Sequence, residues 1–266
     1  WIDEFDIDGL RLDVAYLLPE WFFEFLRRTV RMKKQDFFLM GEVIHGQNFG
    51  KNITPERLDS ATNYECYKGL TSALNSDNLF EICHSLERLF GSQPWCLYTG
   101  KNLFSFADNH DVPRAYTAVA DKRKLPALYA ILYSMPGIPC VYYGSEYGAE
   151  GNKGNFDRDL RPYIGDIDEG KCPALTALIQ KLNAVRRSER ALAYGSFEKC
   201  VLSNRYMCFK REHAGERIYC AFNISDGDVT VRVEECEGTD LLTGEVRNLN
   251  DIYLPPFAVK LFKKNV

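Results

Sequence analysis

Asp8-Gly9-Leu10-Arg11-Leu12-Asp13-Val14-Ala15 sets two opposite charges inside an apolar run. Gly9 to Val14 reads as a β-strand, and side chains two residues apart on a strand share a face, so Arg11 and Asp13 stand side by side. A guanidinium beside a carboxylate keeps it ionised. A surface ion pair would look the same in sequence, but Leu10, Leu12 and Val14 around it suit an interior strand. Asp13 then lies at the carboxyl end of that strand, the edge at which parallel α/β sheets gather their sites.

Outward from this strand the pattern repeats. Pro19 to Lys33 reads as a helix with Pro19 near its first turn and Trp21, Phe22, Phe25 and Leu26 on one face. Asp36 to Val43 is the next strand and carries Glu42 near its end; Leu58 to Tyr64 is a weaker one. Asp77 to Phe90 shows Leu79, Ile82, Leu86, Leu89 and Phe90 at helical spacing, and Leu103 to Asp108 is a fourth strand. A helix from about Lys122 to Ser134 precedes Ile138 to Tyr143, an almost wholly apolar fifth strand of the kind buried on both faces. A Gly-, Asn- and Asp-rich loop over Gly144 to Gly170 is long enough to be functional. A last helix, Pro173 to Ser188, has Leu175, Leu178, Ile179, Leu182 and Val185 as its stripe.

This alternation predicts an α/β fold with a parallel sheet over residues 1–187. From residue 188 to 266 short alternating strands separated by turns take over, at Tyr206 to Arg211, Arg217 to Asn223, Val229 to Val233, Thr239 to Leu242 and Phe257 to Phe262, which predicts a small antiparallel β-sandwich domain. A closed (β/α)8 barrel takes about 250 residues and eight strands. Five strands in the first part leave two readings, an open five-stranded sheet or the later part of a barrel.

The composition fits a folded globular chain: 266 residues, 45% hydrophobic, 26% charged, formal net charge −4. The near-balanced charge gives no basic excess for nucleic acid, and no run of about 18 apolar residues reads as a membrane span. The nine cysteines form no C-x-x-C pair and sit in apolar runs as small hydrophobes, which favours a reducing, cytoplasmic setting. The chain opens on Trp1 within what reads as a structural unit, so a truncation boundary is expected there and the compartment stays open.

Asp13, Glu42 and Asp111 each fall at the carboxyl end of an expected strand. Acids at strand ends also serve as helix caps or solvated loop charges. Three together suit chemistry: two carboxylates about 5 Å apart let one attack carbon while the other, protonated, donates to the leaving oxygen. His110 beside Asp111 offers a neutral donor to a substrate hydroxyl.

These segments carry a resemblance. Asp8 to Ala15 resembles the fourth-strand motif of the α-amylase family of glycoside hydrolases, and Gly41-Glu42-Val43 its fifth-strand motif. Phe106-Ala107-Asp108-Asn109-His110-Asp111 is similar to the seventh-strand motif, and Gly137 to Glu146 to the eighth strand and its loop. The resemblance implies strands four to eight of a (β/α)8 barrel followed by the family's β-domain, with strands one to three and the inserted domain absent. It implies retaining cleavage of α-glucosidic bonds in starch-derived maltooligosaccharides, with Asp13 as nucleophile, Glu42 as acid/base, Asp111 as transition-state stabiliser, His110 assisting it and Arg11 orienting Asp13. Asp157 and Arg161 resemble a pair that contacts the non-reducing glucose, and a structural ion-pair network fits them equally. His45 would line product-side subsites or cap a loop.

Tyr16 and Leu17 stand where α-amylases proper carry a Lys-His pair. Tyr16 is thereby expected on the substrate side, no metal ligand is assigned, and calcium is left to an intact enzyme. The pattern leans towards maltooligosaccharide- and cyclodextrin-degrading relatives. A fragment with two open sheet edges is expected to be poorly active alone, and to pair with a second copy or with the missing barrel segment. Transglycosylation, isomerisation or sucrose chemistry on the same triad, and a non-catalytic sugar-binding or accessory module, are the alternatives.

Overall fold

The computed structural model describes residues 1–44, 49–154, 156–234 and 236–265. A short helix α1 (Ile2–Phe5) leads into strand β1 (Gly9–Leu12), helix α2 (Glu20–Arg31), β2 (Phe38–Gly41) and β3 (Ser60–Ala61). Helices α3 (Tyr64–Asn75) and α4 (Phe80–Phe90) follow, then β4 (Phe104–Phe106), α5 (Ala115–Ala118), α6 (Leu125–Ser134) and β5 (Ile138–Cys140). β1, β2 and β3 form one parallel sheet in chain order, and β4 and β5 a parallel pair. A bridge between Thr62 and Phe104 joins the two sets, so the five strands run in sequence order with all carboxyl ends on one side.

Burial decides what each helix does. In α2 the buried residues are Phe23, Arg27 and Val30, whereas Trp21 and Phe25, expected on the inner face, are 66% and 60% exposed. Arg27 is the reason. Its guanidinium reaches inward to the carbonyls of Phe37 (2.8 Å) and Arg57 (2.9 Å) and to Asp59 Oδ2 (2.6 Å), which ties α2 to the strands beneath and turns Trp21 and Phe25 outward. The expected strand over Leu58 to Tyr64 is only two residues long, because Asn63 caps a helix instead: its Oδ1 accepts from the Cys66 amide at 3.0 Å. The helix expected from Asp77 begins at Phe80, after Asp77 takes a left-handed turn at φ 54°.

The final helices α7 (Pro173–Ser188) and α8 (Arg190–Tyr194) lead, among the described residues, to eight strands, where the sequence reading expected five: β6 (Ser196–Leu202), β7 (Tyr206–His213), β8 (Glu216–Asn223), β9 (Val229–Val231), β10 (Glu237–Asp240), β11 (Val246–Asn248), β12 (Ile252–Leu254) and β13 (Val259–Lys264). Six form one antiparallel sheet in the order β11-β10-β13-β8-β7-β6, and β9 pairs with β12 as a second, two-stranded layer. Alternation along β8 explains the layering. Ile218, Cys220 and Phe222 face the helices and belong to the large core that runs through the α/β part, while Tyr219 and Ala221 face the small sheet with Cys208, Val231, Ile252 and Leu254. The two parts also share a polar contact, since Arg211, 1% exposed, donates to the Ser134 carbonyl at the end of α6; within the α/β part, Arg186 of α7 donates to the Tyr133 and Met135 carbonyls.

Candidate active site

The carboxyl ends of β1, β2 and β4 converge. Arg11 Nη1 lies 2.5 Å from Asp13 Oδ1 and its Nη2 2.7 Å from Glu42 Oε1, so one guanidinium holds both carboxylates a guanidinium's width apart. Asp13 is open, with 73% of its side chain exposed, while Glu42 is buried at 5%. Its other oxygen accepts from the Val14 amide at 3.1 Å. That amide points inward because Val14 adopts φ 46°, ψ 41°, a left-handed conformation that a β-branched residue seldom takes and that costs about 1–3 kcal/mol. Immediately before Glu42, a Cβ on Gly41 would stand 2.8 Å from the Ala15 Cβ, so only glycine lets β2 pass this close to the turn after β1.

Asp111 joins through a hydrogen-bonded chain. The Tyr64 hydroxyl lies 3.3 Å from Glu42 Oε1 and 3.2 Å from Asn109 Nδ2, and Asn109 Oδ1 accepts from the Asp111 amide at 2.8 Å. Burial pushes the Tyr64 hydroxyl up, which keeps its proton in place as a donor to Glu42. His110 Nε2 lies 2.9 Å from Asp111 Oδ2. Arg161 completes this side, 3.3 Å from Asp111 Oδ1 and 3.2 Å from Asp157 Oδ2, and donates to the His110 carbonyl at 3.3 Å. Asp13, Glu42 and Asp111 line one cavity of about 420 Å³, together with Tyr64, Tyr67 and Lys68 from the start of α3.

Beneath the site a buried hub fixes the loops. Asp108 (1% exposed) meets Arg114 Nε at 3.1 Å, Ser145 Oγ at 2.7 Å and the Ala115 amide at 2.8 Å. Arg114, wholly buried, also donates to the carbonyls of Tyr143 and Leu160 and lies 4.6 Å from the Tyr142 ring centre. Burial pushes the Asp108 carboxyl up, against the pull of these donors.

The structure thus brings together Arg11, Asp13, Glu42, His110, Asp111, Asp157 and Arg161. Tyr16 lies in the short turn Ala15–Leu17, partly buried against the hydrophobic core. His45 lies outside the described residues. Among the described residues no group of three or more His, Cys, Asp or Glu side chains is placed to hold a metal ion. Sequence reading missed Tyr64, Tyr67 and Lys68, because the helix that presents them was not recognised; Asn63 before the periodic run Cys66, Leu70, Ala73, Leu74 was the available signal.

The model of the α-amylase catalytic domain matches residues 1–188. The chain is 28% identical over 275 residues to a cyclomaltodextrinase of Thermoanaerobacter pseudethanolicus, covering 99% of this chain and 46% of that protein. It is 28% identical over 198 residues to an intracellular maltogenic amylase of Bacillus subtilis, covering 72% and 32%. The chain spans about half the length or less of these curated relatives. Among solved structures, the α-amylase of Geobacillus thermoleovorans complexed with acarbose superposes with a TM-score of 0.84 at 23% identity, covering 100% of this chain and 62% of that one. An Anoxybacillus α-amylase superposes with a TM-score of 0.79 at 26% identity, covering 99% and 60%. With more than half its length matched by the catalytic-domain model, the chain belongs to the α-amylase family.

Proposed function

We propose that the chain is the later part of a retaining glycosidase acting on α-glucosidic bonds of maltooligosaccharides or cyclodextrins. The observation that carries this reading is the single cavity in which Asp13, Glu42 and Asp111 meet, with Arg11 bridging the first two. Retaining glycosidases hold their two carboxyl groups about 5 Å apart, and one guanidinium with an ion pair on each side sets a separation of that order. In the first step Glu42 protonates the glycosidic oxygen while the exposed Asp13 attacks the anomeric carbon, giving a glycosyl ester. In the second, Glu42 removes a proton from the water that displaces Asp13. Asp111, held by His110 and Arg161, accepts sugar hydroxyls and meets the developing positive charge. Arg161 and Asp157 border the non-reducing end.

On this reading residues 1–187 correspond to strands four to eight of a (β/α)8 barrel, and residues 188–266 to the family's β-domain. β1 and β5 are then edges that pair with a second copy or with the rest of the barrel, and the 266-residue chain turns over slowly alone. The chain is assayed with maltotriose and maltohexaose over a concentration range that spans self-association, with sugar binding followed in parallel. Turnover that yields the α-anomer and is lost in Asp13→Asn and Glu42→Gln supports the assignment. Turnover unchanged in either variant overturns it. Sugar binding without turnover at any concentration leaves the non-catalytic binding module, and new glycosidic bonds among the products identify a transglycosylase.

A further inference from the structure

β6 and β7 pair with Lys199 opposite Phe209 and Val201 opposite Cys208, so Cys200 is the extra residue of a bulge. Regular alternation would send Cys200 and Val201 to opposite faces of the sheet. A bulge sets two residues against one, and here both pack against the second core, to which Cys208 belongs. The two side chains interact there, and the Cys200 thiol also donates to the Glu198 carbonyl at 3.7 Å. Val201 is the residue in register with Cys208, and the bulge sets Cys200 beside that pair, packed against the same core as Cys208.

The two cysteines differ in access. Cys208 is wholly buried, whereas Cys200 lines a surface cleft with four cations, Lys199, Lys210, Arg217 and Arg232, and two carboxylates, Glu198 and Glu234. The interaction with Cys208, aided by Lys210 and opposed by burial, holds the Cys200 thiol below its usual range. The same interaction and burial push Cys208 well above it. An attacking thiol that is open and ionisable beside a buried thiol that stays protonated is the arrangement a two-step disulfide exchange uses.

We propose that Cys200 and Cys208 form a thiol-modification site for anionic low-molecular-weight disulfides such as oxidised glutathione. The Cys200 sulfur attacks one sulfur of the disulfide, the S–S bond breaks, and the departing thiolate takes up the proton that Cys200 loses. Cys208 then attacks the Cys200 sulfur of the mixed disulfide and expels the second small thiol with its own proton. Two protein thiols are oxidised, and one small disulfide is reduced to two thiols. The product staples β6 to β7 at the bulge.

The folded chain is incubated with oxidised glutathione, blocked with iodoacetamide and digested with trypsin, which cuts after Lys199, Arg205 and Lys210. The expected result is a fall from nine free thiols to seven, with peptides 200–205 and 206–210 joined by a disulfide. Cys208→Ser is expected to stop at a glutathione adduct on Cys200, and Cys200→Ser to keep every remaining thiol free, with the buried Cys66, Cys83 and Cys220 unmodified throughout as the mark of a folded chain. Over the time in which Cys200 is consumed, the other part-exposed thiols, Cys96, Cys140, Cys172 and Cys236, should stay free. Unlinked peptides in the unaltered chain, loss of the Cys208 thiol in Cys200→Ser, or equal reaction at the other part-exposed cysteines overturns the proposal.

Discussion

Replacing Arg114 by methionine removes the cation at the centre of the hub under the site. Arg114 is 0% exposed and holds Asp108 at 3.1 Å, the Leu160 carbonyl at 3.3 Å and Ser145 Oγ at 3.0 Å, while stacking near Tyr142. Methionine fills part of the volume but leaves Asp108, 1% exposed, with only Ser145 and the Ala115 amide as donors. Breaking a buried pair from one side costs about 3–5 kcal/mol, against a total stability of about 5–15 kcal/mol for a folded domain. With a urea m-value near 3 kcal/mol per molar, the midpoint followed by circular dichroism and tryptophan fluorescence should fall by about 1–2 M. Adding Asp108→Asn removes the stranded charge, so the double variant should recover about 2 kcal/mol relative to the sum of the single costs. A midpoint for Arg114→Met within about 0.3 M of the unaltered chain, or strict additivity in the double variant, refutes the view that this pair holds the loops after β4 and β5.

Gly41→Ala should cost about 1–3 kcal/mol in the same urea assay, since the new methyl meets the Ala15 Cβ at 2.8 Å and the Leu58 Cδ1 at 3.1 Å; it should also lower turnover by displacing Glu42, and a neutral result would show that β2 can shift freely. Tyr64→Phe deletes the hydroxyl between Glu42 and Asn109, which should reduce stability by about 1–2 kcal/mol and reduce kcat more than it changes KM, whereas an unchanged kcat would show the chain of hydrogen bonds to be idle. The hydrogen bonds from Lys264 and Tyr219 hold Glu234 below its usual 4.5. A depressed folded value gives stability that is complete above 4.5 and is lost as pH falls through the lower value, so the urea midpoint should drop less steeply from about pH 5 to about pH 3 in Glu234→Gln than in the unaltered chain. Equal slopes would dismiss that contribution.

The residues that reached the site were legible because each belongs to a local pattern: an acid at the end of an apolar run, preceded in one case by Arg11 at the same-face spacing. Helix α7 matched its expected bounds, Pro173–Ser188, because proline at its first position and an unbroken apolar stripe mark both ends. The failures had physical causes. Helix α3 begins directly after a two-residue strand, and its first turn, Tyr64-Glu65-Cys66-Tyr67, reads equally well as extended chain. β6, with three charged or thiol-bearing residues in Phe197-Glu198-Lys199-Cys200, is a sheet edge, where alternation is weak. On α2 the aromatic spacing is clear, yet the buried side is the one bearing Arg27.

Read alone, the residues determine the alternation of strands and helices in the first part, the acids at the strand ends and the change to an antiparallel domain, since these depend on near-neighbour spacing and turn chemistry. They do not determine that Arg11 reaches Glu42 as well as Asp13, that Val14 turns its amide to Glu42, or that Tyr64 links Glu42 to the loop carrying Asp111. Those contacts join positions 20 to 50 residues apart, and pairing between distant strands, with the burial it imposes, places them.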